Sequence, residues 1–279
     1  MTDADTDDWL AVRAGEAPLL VSIPHSGTLI PGEILPRLRS PALARRDTDW
    51  YLDQVYAVAA DFGATVVHTT ISRCVIDVNR DPGGRSLYPG MATTDLCPLT
   101  TFDGEPLYAA DAEPDPQEIS RRRDRYYLPY HVALRHHLQR LRGQHARVVL
   151  FDAHSIRSQV PRLFAGILPT FNLGTNSGAS CAADLTARLE SVIDATGESR
   201  ATNGRFKGGY ITRAYGQPIG GVHAVQLETA MRTYLDDGPV AIETGWPPPF
   251  LPQRAALLVE VVPRLLAACL EFAVTEVAP

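Results

Sequence analysis

The chain has 279 residues, of which 45% are hydrophobic and 21% charged, and its formal net charge is −6. That is length enough for a full core, with none of the basic footprint that nucleic acid or anionic lipid would call for. No apolar run approaches the roughly 20 residues of a membrane helix and the acidic start is not a secretory leader; the four scattered cysteines, Cys74, Cys97, Cys181 and Cys269, read as reduced thiols of a cytoplasmic protein.

Taken in chain order, residues 1–15 open with "TDADTDDW" and read as a solvated, flexible tail. Residues 18–24 form an apolar strand that stops abruptly at His25, in "VSIPHSGTLIPGE". A helix is expected over 48–61 and a strand over 64–72. Residues 81–115 are rich in Gly, Pro and Asp and lack periodicity, which marks a long loop placed to cover a site. A long helix follows over 116–142, then strands over 147–153 and 163–168. The helix over 179–194 follows "NLGTNSGAS", a segment with good capping chemistry. Residues 203–221, "NGRFKGGYITRAYGQPIGG", suit a glycine-rich loop or hairpin folded over a ligand. A strand over 223–228 and an amphipathic helix over 252–274 complete the chain. Strands alternating with helices predict one α/β domain over 1–279: three layers, a mainly parallel mixed sheet and helices on both faces.

The apolar runs share a positional pattern. The first ends at His25. The second runs into "SRCVIDVNRDP", which carries Arg73, Asp77, Asn79 and Arg80. The third, "VVLFDAHS", brings Asp152 and His154, and the fourth, "HAVQLE", brings Glu228. In open α/β sheets ligands bind beyond the carboxyl ends of the strands, so these groups are expected to meet in one crevice. Neutral imidazole is a common zinc ligand, and a catalytic zinc takes three protein groups plus water. His25 and His154 supply two. Asp152 shares a strand face with His154 and could orient its ring. The third ligand stays open between Asp47, Asp49 and, more weakly, Glu33; Asp47 could equally cap the next helix. Arg73 and Arg80 either pair with Asp77 or bind an anion, and Lys207 and Arg213 could supply a second anion site. Several cations around one crevice suit a small dianionic substrate.

Nine stretches in order, among them "SIPHSGTLIP", "DTDWYLD", "SRCVIDVNRDP", "LFDAHSIRS" and "NGRFKGGYITRAYGQP", resemble the N-formylglutamate amidohydrolase family, itself similar to zinc carboxypeptidases and aspartoacylase. The resemblance implies a zinc-carboxypeptidase-like fold and one zinc per chain, with other divalent ions possible, held by His25 and His154. It implies Arg73 at the oxyanion, Asn79 and Arg80 on a substrate carboxylate, and Glu228 as base. Position 28 is Thr where the carboxypeptidase pattern has Glu, which leaves the third ligand to Asp47 or Asp49. The implied reaction is hydrolysis of N-formyl-L-glutamate to formate and L-glutamate, late in histidine degradation. A deacylase for another N-acyl amino acid is the competing enzyme reading, and a non-catalytic binder of acidic amino acids is the competing reading of another class. A serine hydrolase is not expected, because the chain has no G-x-S-x-G elbow.

Overall fold

The computed structural model describes residues 9–87, 90, 92–239 and 245–275. The first eight residues of the expected tail, three of the expected 81–115 loop and the last four of the expected domain lie outside them. Seven strands form one sheet: β1 (Leu10–Arg13), β2 (Leu19–Ile23), β3 (Thr65–Thr69), β4 (Val148–Ile156), β5 (Phe171–Gly174), β6 (Arg200–Thr202) and β7 (Val222–Ala230). Their spatial order is β1-β3-β2-β4-β7-β5-β6. The four central strands, β3, β2, β4 and β7, run parallel. β1 and β5 are antiparallel to the strands they join, and β6 runs parallel to β5. The sheet is therefore mixed with a parallel centre, the arrangement expected.

Among the described residues, the complete α-helices are α1 (Pro41–Ala44), α2 (Leu52–Val55), α3 (Pro116–Arg122), α4 (Leu128–Arg142), α5 (Ala183–Asp194), α6 (Tyr210–Tyr215) and α7 (Pro252–Val274). A π-helical turn, Arg123–Tyr127, joins α3 to α4. Alternation along the strands divides the core in two. Val21, Val149, Phe151, Val225 and Leu227 face one way and pack with residues of α5 and α7 such as Leu189, Val261 and Leu265. Leu20, Val148, Leu150 and Ala224 face the other way and pack under Leu134, Leu138 and Leu141 of α4. The cysteines are all free and buried, Cys181 and Cys269 in the first layer and Cys74 and Cys97 in the second.

Several expectations need correction. Residues 10–13 are an edge strand rather than part of a flexible tail, because β1 pairs with β3 from Leu10 to Arg13. The strand expected at 163–168 does not form. Gly166 adopts a left-handed φ of 73° in that stretch, and strand geometry resumes only at Phe171, beyond Pro169. The helix expected over 48–61 reduces to α2 and a 3-10 turn over Ala57–Ala60. Tyr51 sits at φ 60°, and the Asp49 amide donates to the His25 carbonyl at 3.0 Å, so the first turn belongs to the site and not to a helix. Within 203–221 the chain forms α6, which a glycine-rich composition had concealed.

Candidate active site

The layer under α4 is apolar at the amino ends of the strands and polar at the carboxyl ends. Continuing the run of Leu20, Leu150 and Ala224 gives Ser22, Asp152 and Gln226, and one step further His154 and Glu228. Register joins them across the sheet: Ser22 pairs with Asp152, Asp152 with Gln226 and His154 with Glu228. His25 follows two residues after β2. The turn beyond it needs a glycine, since a Cβ on Gly27 would lie 2.3 Å from the Thr70 backbone.

The rings of His25 and His154 are 4.9 Å apart between centroids. Asp49 completes the group. Its Oδ2 lies 3.8 Å from His25 Nδ1 and 3.3 Å from His154 Nδ1. One ligand atom from each of His25, Asp49 and His154 falls within 4.8 Å of the others, and all three residues are buried. His25 Nδ1 has no hydrogen-bond partner and is sealed from solvent, a condition that costs free energy unless something binds there. The outer nitrogens are both engaged by carboxylates: His25 Nε2 with Asp77 Oδ1 at 2.7 Å and His154 Nε2 with Asp152 Oδ2 at 2.9 Å. Such carboxylates fix the ring orientation and tautomer of metal-binding histidines. Two imidazoles and a carboxylate with their inner atoms together and their outer atoms braced are a donor set of the kind that holds a divalent metal ion. The residues fit a divalent cation.

Burial drives the His25 pKa below its usual value, and Arg73 adds to this against the pull of Asp77. His154 goes the opposite way: burial opposes its charge, but Asp152 and Asp49 outweigh it and raise the pKa well above the usual value. Burial pushes the Asp49 carboxyl up, yet the two imidazoles and Arg73 hold it below the carboxylate range. Glu228 is lifted to about 8, first by burial, with His154 opposing and Asp49 reinforcing. Gln226 steers that carboxyl: its Nε2 donates to Glu228 Oε2 at 3.3 Å, while its Oε1 accepts from the Gly209 amide at 2.7 Å.

These groups open onto a cavity lined by His25, His154 and Glu228, by Arg73 and Arg80, and by loop residues that include Thr94, Phe102 and Phe206. Arg73 does pair with Asp77, at 2.7 Å, and its guanidinium lies 4.7 Å from the centre of the Phe102 ring. Arg80 lies 3.5 Å from Asp77 and donates to the Thr94 carbonyl and hydroxyl. Asn79 also lines the cavity, but both ends of its amide are turned to protein. Nδ2 donates to Asp152 Oδ2 at 3.1 Å, and Oδ1 accepts from the Ile211 amide at 2.8 Å. The backbone must come very close there, because a Cβ on Gly209 would sit 2.4 Å from the Asn79 side chain.

Asp47, the other expected ligand, lies outside the cluster. It is no helix cap either: its Oδ2 accepts from the Phe102 amide at 2.6 Å and its Oδ1 lies 3.7 Å from Arg157. Burial raises its carboxyl to about 6 despite Arg157. Glu33 is exposed, 3.9 Å from Arg125. Lys207 and Arg213 are not among the residues lining the cavity; the Lys207 carbonyl accepts from Asn176, and Arg213 Nε donates to the Gly208 carbonyl. The cation that does line it from that segment is Arg205, which the sequence reading passed over along with Gln226. Gln226 had a signal, since it lies two residues before Glu228 on the same face.

The profile of the N-formylglutamate amidohydrolase family matches residues 17–235. The chain belongs to this family. It is 48% identical over 232 residues to an N-formylglutamate deformylase of Pseudomonas putida, covering 83% of this chain and 86% of that one. A deformylase of the same name from Pseudomonas aeruginosa is 47% identical, with 83% and 87% covered. The crystal structure of N-formylglutamate amidohydrolase from Ralstonia eutropha JMP134 superposes with a TM-score of 0.75 at 25% identity, covering 95% of this chain and 96% of that one.

Proposed function

We propose that this chain hydrolyses N-formyl-L-glutamate to formate and L-glutamate with the help of a divalent cation, zinc in the native protein, held by His25, Asp49 and His154. The observation that carries the reading is the convergence of those three donors with Glu228 in one cavity, in a chain of this family. The convergence of imidazoles, arginine and glutamate at the carboxyl ends of a parallel sheet also supports kinship with zinc carboxypeptidases. We place the reaction late in histidine degradation, in the cytoplasm, carried out by one catalytic unit that spans the chain. Among the described residues, no helix is long and apolar enough to cross a membrane.

When bound, the cation supplies a Lewis acid for the formyl carbonyl, acidifies water and adds positive charge that favours ionised Glu228. Glu228 takes a proton from the attacking water as oxygen adds to the formyl carbon. Arg73 presents its guanidinium to the oxygen that gains charge. As the C–N bond breaks, Glu228 passes its proton to nitrogen, which cannot depart as a bare anion. Arg80 holds a substrate carboxylate and so fixes the formyl group against the base. Asn79 serves this scheme indirectly, by bracing Asp152 and through it His154. Residues around Ala92–Phe102 and Arg205–Gly209 cover the cavity and exclude water from the reacting atoms.

Release of formate from N-formylglutamate, measured with and without a chelator, tests the proposal. Activity that disappears on chelation and returns with about one zinc per chain is the expected result. Activity indifferent to chelation removes the metal from the reaction, and the absence of formate release removes the substrate.

A further inference from the structure

The amino ends of β4 and β7 open onto a second cavity, at the opposite end of the sheet from the catalytic one. Arg142, Arg147 and His223 line it together with Phe272, Ile219 and Asp184. Arg147 immediately precedes β4 and His154 lies near the far end of that strand, roughly 20 Å away at about 3.3 Å per residue. The two cavities are therefore separate. We propose that the second one binds a small carboxylate with an apolar body.

Its donors outnumber its acceptors. Arg147 lays its guanidinium over the Phe272 ring, 4.5 Å from the centre, and its sealed Nη2 has no hydrogen-bond partner. Arg142 donates from Nε to the Gly220 carbonyl at 2.9 Å and from Nη1 to the His145 carbonyl. The Gly221 backbone, at φ 78°, lies close against that fork, and a Cβ there would sit 2.8 Å from the guanidinium carbon. Among the described residues neither arginine has a carboxylate partner. The acid that lines the cavity, Asp184, is engaged by Arg188 Nε at 2.9 Å. Half-buried cations without a counter-charge are costly, and a carboxylate matches the guanidinium fork.

His223 adds a neutral donor. It is 4% exposed, and its Nδ1 accepts from the Ala182 amide at 3.1 Å. Burial, then Arg147 and Arg142, lower its pKa to about 4, so near neutrality the ring carries one proton and that proton sits on Nε2. Among the described residues Nε2 has no hydrogen-bond partner. The amino end of α5, which has no side-chain cap, adjoins the same ring through Ala182 and contributes positive potential. Phe272 and the exposed Ile219 supply apolar walls for the body of the ligand.

The test titrates benzoate, and benzamide as its uncharged counterpart, into the zinc-loaded wild type, Arg147→Met and His223→Phe at constant ionic strength, with affinity read by calorimetry. Benzoate is expected to bind the wild type more tightly than benzamide does. Its affinity should fall about 10- to 100-fold in Arg147→Met, the scale of a lost charged hydrogen bond, and by less in His223→Phe, which removes a neutral donor and keeps a ring. If the unfolding midpoint shows that Arg147→Met does not fold, Arg142→Met takes its place. Benzoate held by the arginines of the catalytic cavity is indifferent to these substitutions, so equal affinity in wild type and variants overturns the proposal. A wild type that binds no benzoate, or binds benzamide as tightly, overturns it as well.

Discussion

The two faces of the central sheet are built from alternate residues of the same strands, and they differ in one respect. The face under α5 and α7 stays apolar through Val21, Phe151, Ala153 and Leu227 and gives way only to the hydroxyls of Ser155 and Thr229 near the ends of the strands. The face under α4 begins the same way and then changes to Ser22, Asp152, His154, Gln226 and Glu228. One face holds the strands in place and the other aims their side chains. Buried charges are costly unless paired and hydrogen-bonded, and here each is engaged: Asp77 by His25, Arg73 and the Asn79 amide, and Asp152 by Ser22, Asn79 and His154. The expense of the polar end is tolerable because the opposite face is left mostly apolar.

Substitutions on the two faces should therefore fail in different ways. The largest effect is expected from Glu228→Gln, which keeps shape and metal but removes the base. Its kcat should fall by about two to four powers of ten with unchanged zinc content and unfolding midpoint, and near-normal turnover would remove Glu228 from the chemistry. On the opposite face, Phe151→Ala should cost about 3–5 kcal/mol of stability in urea unfolding while the molecules that remain folded keep their kcat. A comparable loss of kcat there would show that the faces are not separable.

A third, smaller effect is a matter of pH. His131 on α4 lies under the polar end, with Nε2 on the Val78 carbonyl and Nδ1 on the Tyr215 hydroxyl. Burial, with help from Arg135, lowers its pKa to about 4 against the bond to Val78. The unfolded chain protonates this histidine near 6.5, so between those values it binds more protons than the folded one. The contribution is complete above about pH 6.5 and is lost as pH falls toward 4, about 3 kcal/mol in all. Denaturation of His131→Gln across that range should show a flatter slope than wild type, and equal slopes would contradict the assignment. The smallest expected effect is that of Asp152→Asn, which weakens the brace on His154 and should lower metal affinity or activity by about 10- to 100-fold, measured by competition with a chromophoric chelator.

Much of this division was legible in the sequence. Strong apolar runs with chemically capable groups at their ends gave β2, β3, β4 and β7, and with them His25, His154, Arg73 and Glu228. What stayed hidden depended on contacts rather than patterns. β1 and β6 are four and three residues long, too short for alternation to register. The choice between Asp47 and Asp49 turns on one backbone hydrogen bond, from the Asp49 amide to the His25 carbonyl, and no spacing rule foretells it. Asp77 read as a partner for arginine, which it is, but its grip on His25 needed coordinates. In "NGRFKGGYITR" three cations, Arg205, Lys207 and Arg213, stand close together, and nothing local says which of them reaches the cavity.

The cysteines follow the same division, and that makes them usable. Cys181 and Cys269 lie in the layer under α5 and α7, and Cys74 and Cys97 lie in the layer under α4. Burial raises every one of these thiols, Cys74 to about 11 and Cys97 to about 12, so none offers much thiolate near neutrality. Alkylation of the native protein should then wait on opening of the surrounding structure, and peptide mapping of the labelled sites would time the loosening of each side independently, with no probe introduced.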